Sequence, residues 1–110
     1  MMKEKEITPV ISSPDNKLQI INFVSFRDAF GCYMVEGTLK NISLELDLTA
    51  EIKIDYYDSL NMLVDTETDT FTAPKPGATR GFYMVYSGKR RGDVQSQNIL
   101  LSVKDIKKQY

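Results

Sequence analysis

The chain has 110 residues, of which 42% are hydrophobic and 26% charged, as expected for one globular domain with a single core. Its 14 basic and 15 acidic side chains give a net charge of -1, so no overall field attracts nucleic acid or an anionic membrane. Because histidine is absent and Cys32 is the single cysteine, the sequence excludes an internal disulfide, cysteine-built metal centres, and Ser-His-Asp or Cys-His catalysis.

The first 16 residues are polar, contain Pro9 and Pro14, and show no clear period. They are predicted to form a flexible leader (residues 1-16) with room for a short edge strand around Thr8 to Ile11. This stretch has no apolar run long enough for a signal peptide or a membrane anchor. Two locations stay open: the cytoplasm, or an extracytoplasmic or cell-envelope site if a leader has been removed.

The domain itself is predicted to span residues 17-106. A first long strand is predicted in KLQIINFVSF and a second in CYMVEGTLKN, with a turn ending at Gly31 between them. A glycine inside a strand indicates a bulge or the close approach of another backbone, and Gly37 is such a residue. Alternation in the second strand places Gly37 on one face together with Tyr33, Val35 and Leu39.

The stretch from Leu44 to Tyr56 decides the fold class, because every even-numbered residue is apolar and almost every odd-numbered one is polar. A helix would spread this pattern over its whole surface, whereas a strand buries one face and leaves the other in water. The run is too long for one strand. We therefore predict a break around Glu45 to Leu48 and a strand from Thr49 to Tyr57.

The remaining sequence continues the strand pattern. A fourth strand is predicted in MLVDTETDTF, a fifth in TRGFYMVYS and a last one in NILLSVKDI, followed by a basic tail at residues 107-110. The loop TAPKPGATR, with Pro74, Pro76 and Gly77, cannot lie in a central strand. No long helical period occurs. The sequence thus predicts an all-β protein, an antiparallel immunoglobulin-like β-sandwich of six or seven strands.

Three stretches, in order, resemble FxLYD-type immunoglobulin-like domains of prokaryotes: VEGTLKNIS, IDYYDSLN and APKPGATRGFYM. In the second stretch Tyr57 and Asp58 match the naming motif, with Ile54 and Tyr56 at its first and third positions. The resemblance covers roughly residues 17 to 105. It implies a sandwich of a kind often found in extracytoplasmic or envelope-associated proteins, generally without an established catalytic activity.

The sequence IDYYDSLN sets two aspartates around a pair of tyrosines, a combination that can bind a metal or move protons. Strand alternation predicts that Ile54 and Tyr56 face the core, while Asp55 and Tyr57 face away. Asp58 opens a turn, where an aspartate accepts hydrogen bonds from backbone N–H groups ahead of it. We interpret this stretch as the end of a strand and the turn that follows it.

Further acidic residues alternate along the fourth strand. Asp65, Glu67 and Asp69 share one face, with successive side chains ~7 Å apart. They could form one edge of a calcium site if a loop added oxygen ligands. The favoured interpretation is a solvated strand face that also deters edge-to-edge pairing.

Two short motifs are interpreted as loops. Asn41 to Ser43 is a formal glycosylation acceptor, but it is expected to be a turn after the second strand. Lys89 to Asp93 contains three basic residues and an Arg-Gly-Asp tripeptide. Three basic residues are too few to predict nucleic-acid binding, so this loop is expected to be solvated.

The predicted function is a noncatalytic module, protein-binding or assembly-supporting, with no catalytic, cofactor-binding or metal-binding residue assigned. Its expected partner is another protein that binds through an exposed sheet edge, with no nucleic acid and no membrane insertion. The alternative is a small-ligand or carbohydrate-binding module that uses outward tyrosines such as Tyr57 and Tyr86, and a carboxylate-based enzyme is a third, weaker hypothesis. Core or cross-strand packing is otherwise expected for the aromatic set Tyr33, Tyr56, Tyr57, Phe71, Phe82, Tyr83 and Tyr86.

Overall fold

The computed structural model describes residues 10–86 and 88–104. In this part of the chain seven strands and a single turn of 3-10 helix (Arg91–Asp93) follow one another, and all strand pairs are antiparallel. The strands are β1 (Ile11–Ser12), β2 (Leu18–Arg27), β3 (Tyr33–Asn41), β4 (Thr49–Tyr57), β5 (Leu63–Thr72), β6 (Thr79–Tyr86) and β7 (Ser96–Lys104).

The strands form two sheets that enclose one core. A four-stranded sheet has the order β1-β2-β3-β6, and a three-stranded sheet has the order β5-β4-β7. The predicted all-β antiparallel sandwich is therefore confirmed. Constant-type immunoglobulin domains pair the first, second, fifth and fourth strands in one sheet. The likeness to immunoglobulins thus lies in the layered architecture rather than in the strand order.

The alternation that decided the fold class places β4 in the centre of its sheet. Its even-numbered residues are fully buried, and the strand runs from Thr49 to Tyr57 as predicted. Leu44 and Leu46 continue the same alternation but are exposed, because the chain has left the sheet there and Asp47 adopts a φ of 60°. The buried residues of β4 are Ala50, Ile52, Ile54 and Tyr56.

The strands contribute unequally to the core. β2, β3, β4, β6 and β7 all contribute buried apolar side chains, whereas β5 supplies only the partly buried Val64 and Phe71. β1 and β2 contact β7 at one flank of the sandwich, which leaves β5 and β6 as the outer strands of the opposite flank. The two sheets thus pack against each other through β1, β2 and β7 on one flank, whereas the flank between β5 and β6 is more open.

The turns of both hairpins are braced by an aspartate. Asp58 Oδ1 accepts hydrogen bonds of 2.9 Å from the N–H groups of Leu60 and Met62, and Asn61 takes a φ of 63°. Asp28 accepts the equivalent two backbone hydrogen bonds in the turn between β2 and β3. Asn61 tolerates this left-handed conformation, which suits glycine best. The turn role predicted for Asp58 is therefore confirmed.

Gly37 lies where two neighbouring strands approach it closely. A Cβ atom at this position would be 2.6 Å from the carbonyl oxygen of Asn22 and 2.8 Å from Cε2 of Phe82. The pairing of β2 with β3 shifts by one residue between Ile20 and Asn22, which brings that carbonyl toward Gly37. The close approach expected from a glycine inside a strand is confirmed.

The start of the described chain is tied to the four-stranded sheet. β1 pairs with β2, and the buried Ser13 Oγ accepts hydrogen bonds of 3.1 Å from the N–H groups of Lys17 and Leu18. Thr8, within the predicted edge strand, and the predicted basic tail at 107–110 lie outside the described residues. The predicted domain boundaries stay predictions.

Candidate functional site

The two aspartates around the tyrosine pair do not form a shared site. Asp55 lies on the outer face of the three-stranded sheet, where its Oδ1 accepts a 2.7 Å hydrogen bond from Thr66 Oγ1. Asp58 accepts hydrogen bonds from backbone N–H groups within its own turn. Tyr56 points into the core between them. The arrangement is that of a strand end and a turn, as the alternation predicts.

Three tyrosines form a cluster inside the sandwich. The rings of Tyr56 and Tyr86 stack with centroids 4.6 Å apart, and Tyr33 meets Tyr56 edge-on at 5.9 Å. The hydroxyl of Tyr33 donates to Oε1 of Gln97. Burial raises the pKa of Tyr56, and the neighbouring Glu67 raises it further. These rings are packing residues with satisfied hydroxyls rather than an accessible platform.

Among the described residues, the two tyrosines outside this cluster lie on opposite sides of the protein. Tyr83 is 62% exposed on the outer face of the four-stranded sheet. Tyr57 is half-buried on the outer face of the three-stranded sheet. Tyr86, which the ligand-binding hypothesis needs on the surface, is only 2% exposed. Tyr57 and Tyr83 therefore cannot form one ligand platform.

The acidic side chains of β5 lie on the inner side of the three-stranded sheet. Asp65 and Asp69 are exposed, as the interpretation of a solvated face predicts, but Glu67 is half-buried, so that interpretation was wrong for Glu67. A period of two identifies side chains that share a face but not which face turns inward, because the alternate residues of β5 are polar threonines. In the register of the two strands, Asp65, Glu67 and Asp69 lie opposite three buried residues of β4, namely Tyr56, Ile54 and Ile52.

Glu67 is linked to the tyrosine cluster. Its Oε1 accepts a 3.0 Å hydrogen bond from the hydroxyl of Tyr56. Burial raises the pKa of Glu67, and repulsion from Asp65 and Asp69 adds to that effect against the opposing influence of the Tyr56 hydrogen bond. The folded protein therefore holds the proton of Glu67 more readily than the unfolded chain does.

Replacing Glu67 with glutamine is expected to stabilise the protein slightly at neutral pH. Because the folded-state pKa is raised, the ionised carboxylate lowers the free energy of unfolding once the pH exceeds the carboxylate range. The gain at pH 7 should be below about 1 kcal/mol, because the site is partly solvated. It should shrink as the pH is lowered through the carboxylate range, which urea titrations at a series of pH values would measure.

Glu51→Gln is the matched control, since Glu51 lies on β4 and is paired with Thr70 on the outer face of the same sheet. A Glu67→Gln protein that is less stable than wild type at pH 7, or that gains stability over wild type as the pH falls, would contradict the raised pKa.

The flank between β5 and β6 contains an open cleft of about 450 Å³. Arg80 joins β5 and β6 outside the cleft lining, since its Nη1 donates to the carbonyl oxygen of Thr72 at 3.0 Å and its Nε donates to that of Gly81 at 3.1 Å. The guanidinium also lies over the ring of Phe71, 5.7 Å from the centroid. The cleft is lined by Glu67, Thr68, Asp69, Phe71, Tyr83, Met84 and Val85.

The outer face of the four-stranded sheet is apolar at the end near the β2–β3 turn. Phe26, Met34 and Val85 are direct cross-strand neighbours there, and the next row holds Val24 and Tyr83 with the exposed Glu36 between them. Val24 is 57% exposed and Phe26 41%. We call this surface the apolar face and define it by Val24, Phe26, Met34, Tyr83 and Val85.

The outer face of the three-stranded sheet has the opposite character. β4 presents Glu51, Lys53 and Asp55 there, and β5 presents a row of threonines opposite them. Leu100 of β7 is an exposed apolar residue on this side. The two outer faces therefore differ in chemistry, although both belong to sheets that bury their other face.

The two loop motifs are held in place by their own contacts. Asn41 is fully buried, and its Nδ2 donates to the carbonyl oxygens of Glu45 and Pro74 at 2.9 and 3.0 Å, so it is not an accessible acceptor for a sugar. In the basic loop, Arg90 pairs with Asp93 at 3.0 Å and contacts Asp58 at 4.0 Å. The basic loop is otherwise exposed from Lys89 to Asp93, as the sequence predicts.

The described residues contain neither a metal-binding cluster nor a helix that could cross a membrane. Across 10–86 and 88–104, no three cysteine, aspartate or glutamate side chains are grouped so that they could hold a metal ion. Asp65, Glu67 and Asp69 thus do not form such a group. In that same part of the chain, no helix has the length and apolar character needed to cross a membrane.

No protein-family model matches the chain, and no curated protein matches it. Solved structures with a similar fold include the crystal structure of the Campylobacter jejuni protein cj0090, at a TM-score of 0.55 and 13% identity over 77% of this chain and 85% of that chain. The crystal structure of a DUF1425 family member from Shewanella sp. pv-4 has a TM-score of 0.51 and 11% identity over 92% of this chain and 99% of that chain.

At these identities the likenesses show the fold alone, a β-domain fold that occurs in prokaryotes. Neither structure is described as FxLYD-type, so that assignment stays a prediction. The family of the Shewanella protein has no known function. Neither likeness assigns a role to this domain.

The sequence reasoning missed the apolar face, although a signal for it was present. In β3 the buried phase is occupied by Tyr33, Val35 and Leu39, so Met34 stands out as an apolar residue on the opposite phase. Val85 of β6 is likewise out of phase with the buried residues of its strand. Phe26 of β2 has the same phase as the buried Leu18 and Ile20, and it turns outward only because the pairing shifts between Ile20 and Asn22. Only the register shows that these three residues are neighbours.

Proposed function

We propose that this domain is a noncatalytic β-sandwich module that binds another protein through its four-stranded sheet. The observation that carries the proposal is the apolar face. An antiparallel sheet with one buried face normally presents polar side chains to water on the other, as the three-stranded sheet does here. Contiguous exposed apolar side chains, by contrast, are typical of surfaces that bind a protein, a membrane or a ligand.

The composition of the apolar face suits a protein partner. Phe26 and Tyr83 are aromatic residues of the kind enriched in protein interfaces, and Met34 adapts its shape to a partner. Glu36 lies between Val24 and Tyr83 and adds a charge that can fix the orientation of a partner.

A noncatalytic role is favoured by the surroundings of the acidic residues. Hydrolysis by two carboxylates needs acids that face each other across a cleft. The inward side chains of β6 that face the acids of β5 are Phe82, Met84 and Tyr86, none of which is acidic. Envelope association, which the FxLYD resemblance implies, is the location we propose if a leader precedes the domain.

Site-specific photo-crosslinking in cells that naturally make the protein tests this function. A photoreactive amino acid at Val24 or at Tyr83 should capture one and the same protein. The same probe at Lys53, on the outer face of the three-stranded sheet, should not capture it. The double substitution Val24→Ser with Phe26→Ser should abolish capture from position 83 while the melting temperature stays close to that of wild type. Equal capture from Lys53, or no capture from either site on the apolar face, would overturn the proposal.

A further inference from the structure

We infer that the partner contributes an extended segment that adds to the free edge of β6 as a fifth strand of the four-stranded sheet, with basic side chains pointing inward and apolar side chains pointing outward. The inference rests on the proposed function and specifies its partner. It joins three features of the β5–β6 flank: an unpaired strand edge, acids that face the space beside that edge, and the apolar face next to it.

The edge of β6 is free in the described residues, because β6 is the last strand of its sheet. In antiparallel pairs, residues whose N–H and C=O groups point to the neighbour alternate with residues whose groups point away. The N–H of Asn41 donates to the carbonyl oxygen of Ala78, so Ala78 and every second residue after it direct their backbone groups toward β3. The backbone groups of Tyr83 and Val85 therefore point to the free side. These groups are the hydrogen-bonding positions that an added strand would use.

Side chains do not protect this edge as they protect its neighbour. β5 carries inward-pointing acids, which deter another chain from pairing with it. The stretch from Gly81 to Tyr86 contains no charged residue and no proline. Arg80 covers only the carbonyl oxygen of Gly81 at the start of the strand. The rest of β6 is therefore available for pairing.

The inner side of the added strand would enter the cleft. Side chains of that strand that point toward the core would lie beside Met84 and face Glu67 and Asp69 across the cleft. The lining contains two carboxylates and no basic side chain. Burying an uncharged or acidic side chain there would leave the acids without a countercharge, whereas lysine or arginine would neutralise them.

The outer side of the added strand would extend the apolar face. Its outward side chains would lie next to Tyr83 and Val85, which already belong to that surface. Because strand side chains alternate with a period of two, the segment must alternate apolar and basic residues. The partner chemistry is therefore an extended peptide with the pattern basic-apolar-basic-apolar, provided by another protein.

Titration calorimetry with a short synthetic peptide that alternates lysine and valine tests the inference. We expect this peptide to bind and its affinity to fall with added salt, and a peptide that alternates glutamate and valine not to bind. Asp69→Asn should weaken binding about tenfold, since a charge-assisted contact is lost. Glu67→Gln should act in the same direction, while Glu51→Gln on the outer face should leave the affinity unchanged.

Methylation of the peptide nitrogens separates strand addition from a simple attraction between charges. Only one alternate set of peptide N–H groups can bond to β6. If the added strand is antiparallel, as all described strand pairs of this protein are, that set belongs to the valines. Methylating the valine nitrogens should therefore abolish binding, and methylating the lysine nitrogens should not. Val85→Pro, which removes an edge N–H without breaking the pairing with β3, should also abolish binding. The inference would be overturned if each of the two methylated peptides still bound, or if the unmodified peptide still bound the Val85→Pro protein.

The two proposals fail in different ways. If the lysine–valine peptide does not bind but Val24 and Tyr83 still capture one protein, this inference is overturned and the proposed function stands. If the peptide binds at β6 but neither position captures a protein in cells, the proposed role of the apolar face is overturned.

Discussion

Replacing Asn41 with alanine is expected to lower the free energy of unfolding by about 3 kcal/mol, because several buried hydrogen bonds disappear together. The amide nitrogen donates to the carbonyl oxygens of Glu45 and Pro74, and the amide oxygen accepts from the N–H and the hydroxyl of Ser43. Asn41 is fully buried, so water does not readily replace these contacts. The side chain joins the connection after β3 to the proline-glycine loop before β6.

Urea unfolding measures the effect, with Asn98→Ala as the matched control. Asn98 is exposed on β7, so the same substitution there should change stability by no more than about 0.5 kcal/mol. Asn41→Asp should also destabilise the protein, because a carboxylate cannot donate to the two carbonyl oxygens. A loss below about 1 kcal/mol for Asn41→Ala would mean that water enters and satisfies the carbonyls.

Gly37→Ala is expected to cost about 2 kcal/mol, the usual range for forcing an extra methyl group into a packed interior. The new Cβ would lie 2.6 Å from the backbone oxygen of Asn22, which cannot move aside without shifting β2. It would also lie 2.8 Å from the ring of Phe82, which is buried and in contact with Phe71. The cost therefore comes from strand displacement rather than from a side-chain rotation.

Gly81→Ala provides the comparison on the adjacent strand. The nearest atom to a Cβ there is the carbonyl oxygen of Gly37 at 3.8 Å, an ordinary contact distance. Its thermal unfolding midpoint should stay near or above that of wild type, since alanine costs less backbone entropy than glycine on folding. Equal destabilisation by both substitutions would show that the loss of glycine flexibility, and not the contact with Asn22 and Phe82, is responsible.

The sequence was most informative where one face of a strand is uniformly apolar. The alternation from Ala50 to Tyr56 located β4 and its inward face, because burial of one face is the main force that selects a register. The turn at Asp58 was also predictable, since its hydrogen bonds are local. Local chemistry and simple periodicity were sufficient for both features.

The candidate site was far less predictable, because it depends on which strands are neighbours. Glu67 and Thr68 are both polar, so they do not themselves say which turns inward. The two partly buried apolar residues of β5 conflict, since Val64 has the phase of Thr68 and Phe71 has the phase of Glu67. Pairing with β4, together with the irregularity between Tyr56 and Tyr57, decides this. Likewise, Met34 and Val85 become one surface only because β6 returns to pair with β3. Their phase marks each of them as an apolar residue on an outer face, but the pairing that joins them leaves no local signal.

The strand order has a consequence for how the proposed partner would bind. Each sheet contains a hairpin, β2–β3 or β4–β5, and is completed by a strand that arrives later in the sequence, β6 or β7. Within this chain, a later strand therefore pairs with the edge of an earlier hairpin twice: β6 pairs with β3, and β7 pairs with β4. A partner segment at β6 would be the third such step, carried out by another molecule with the same backbone geometry.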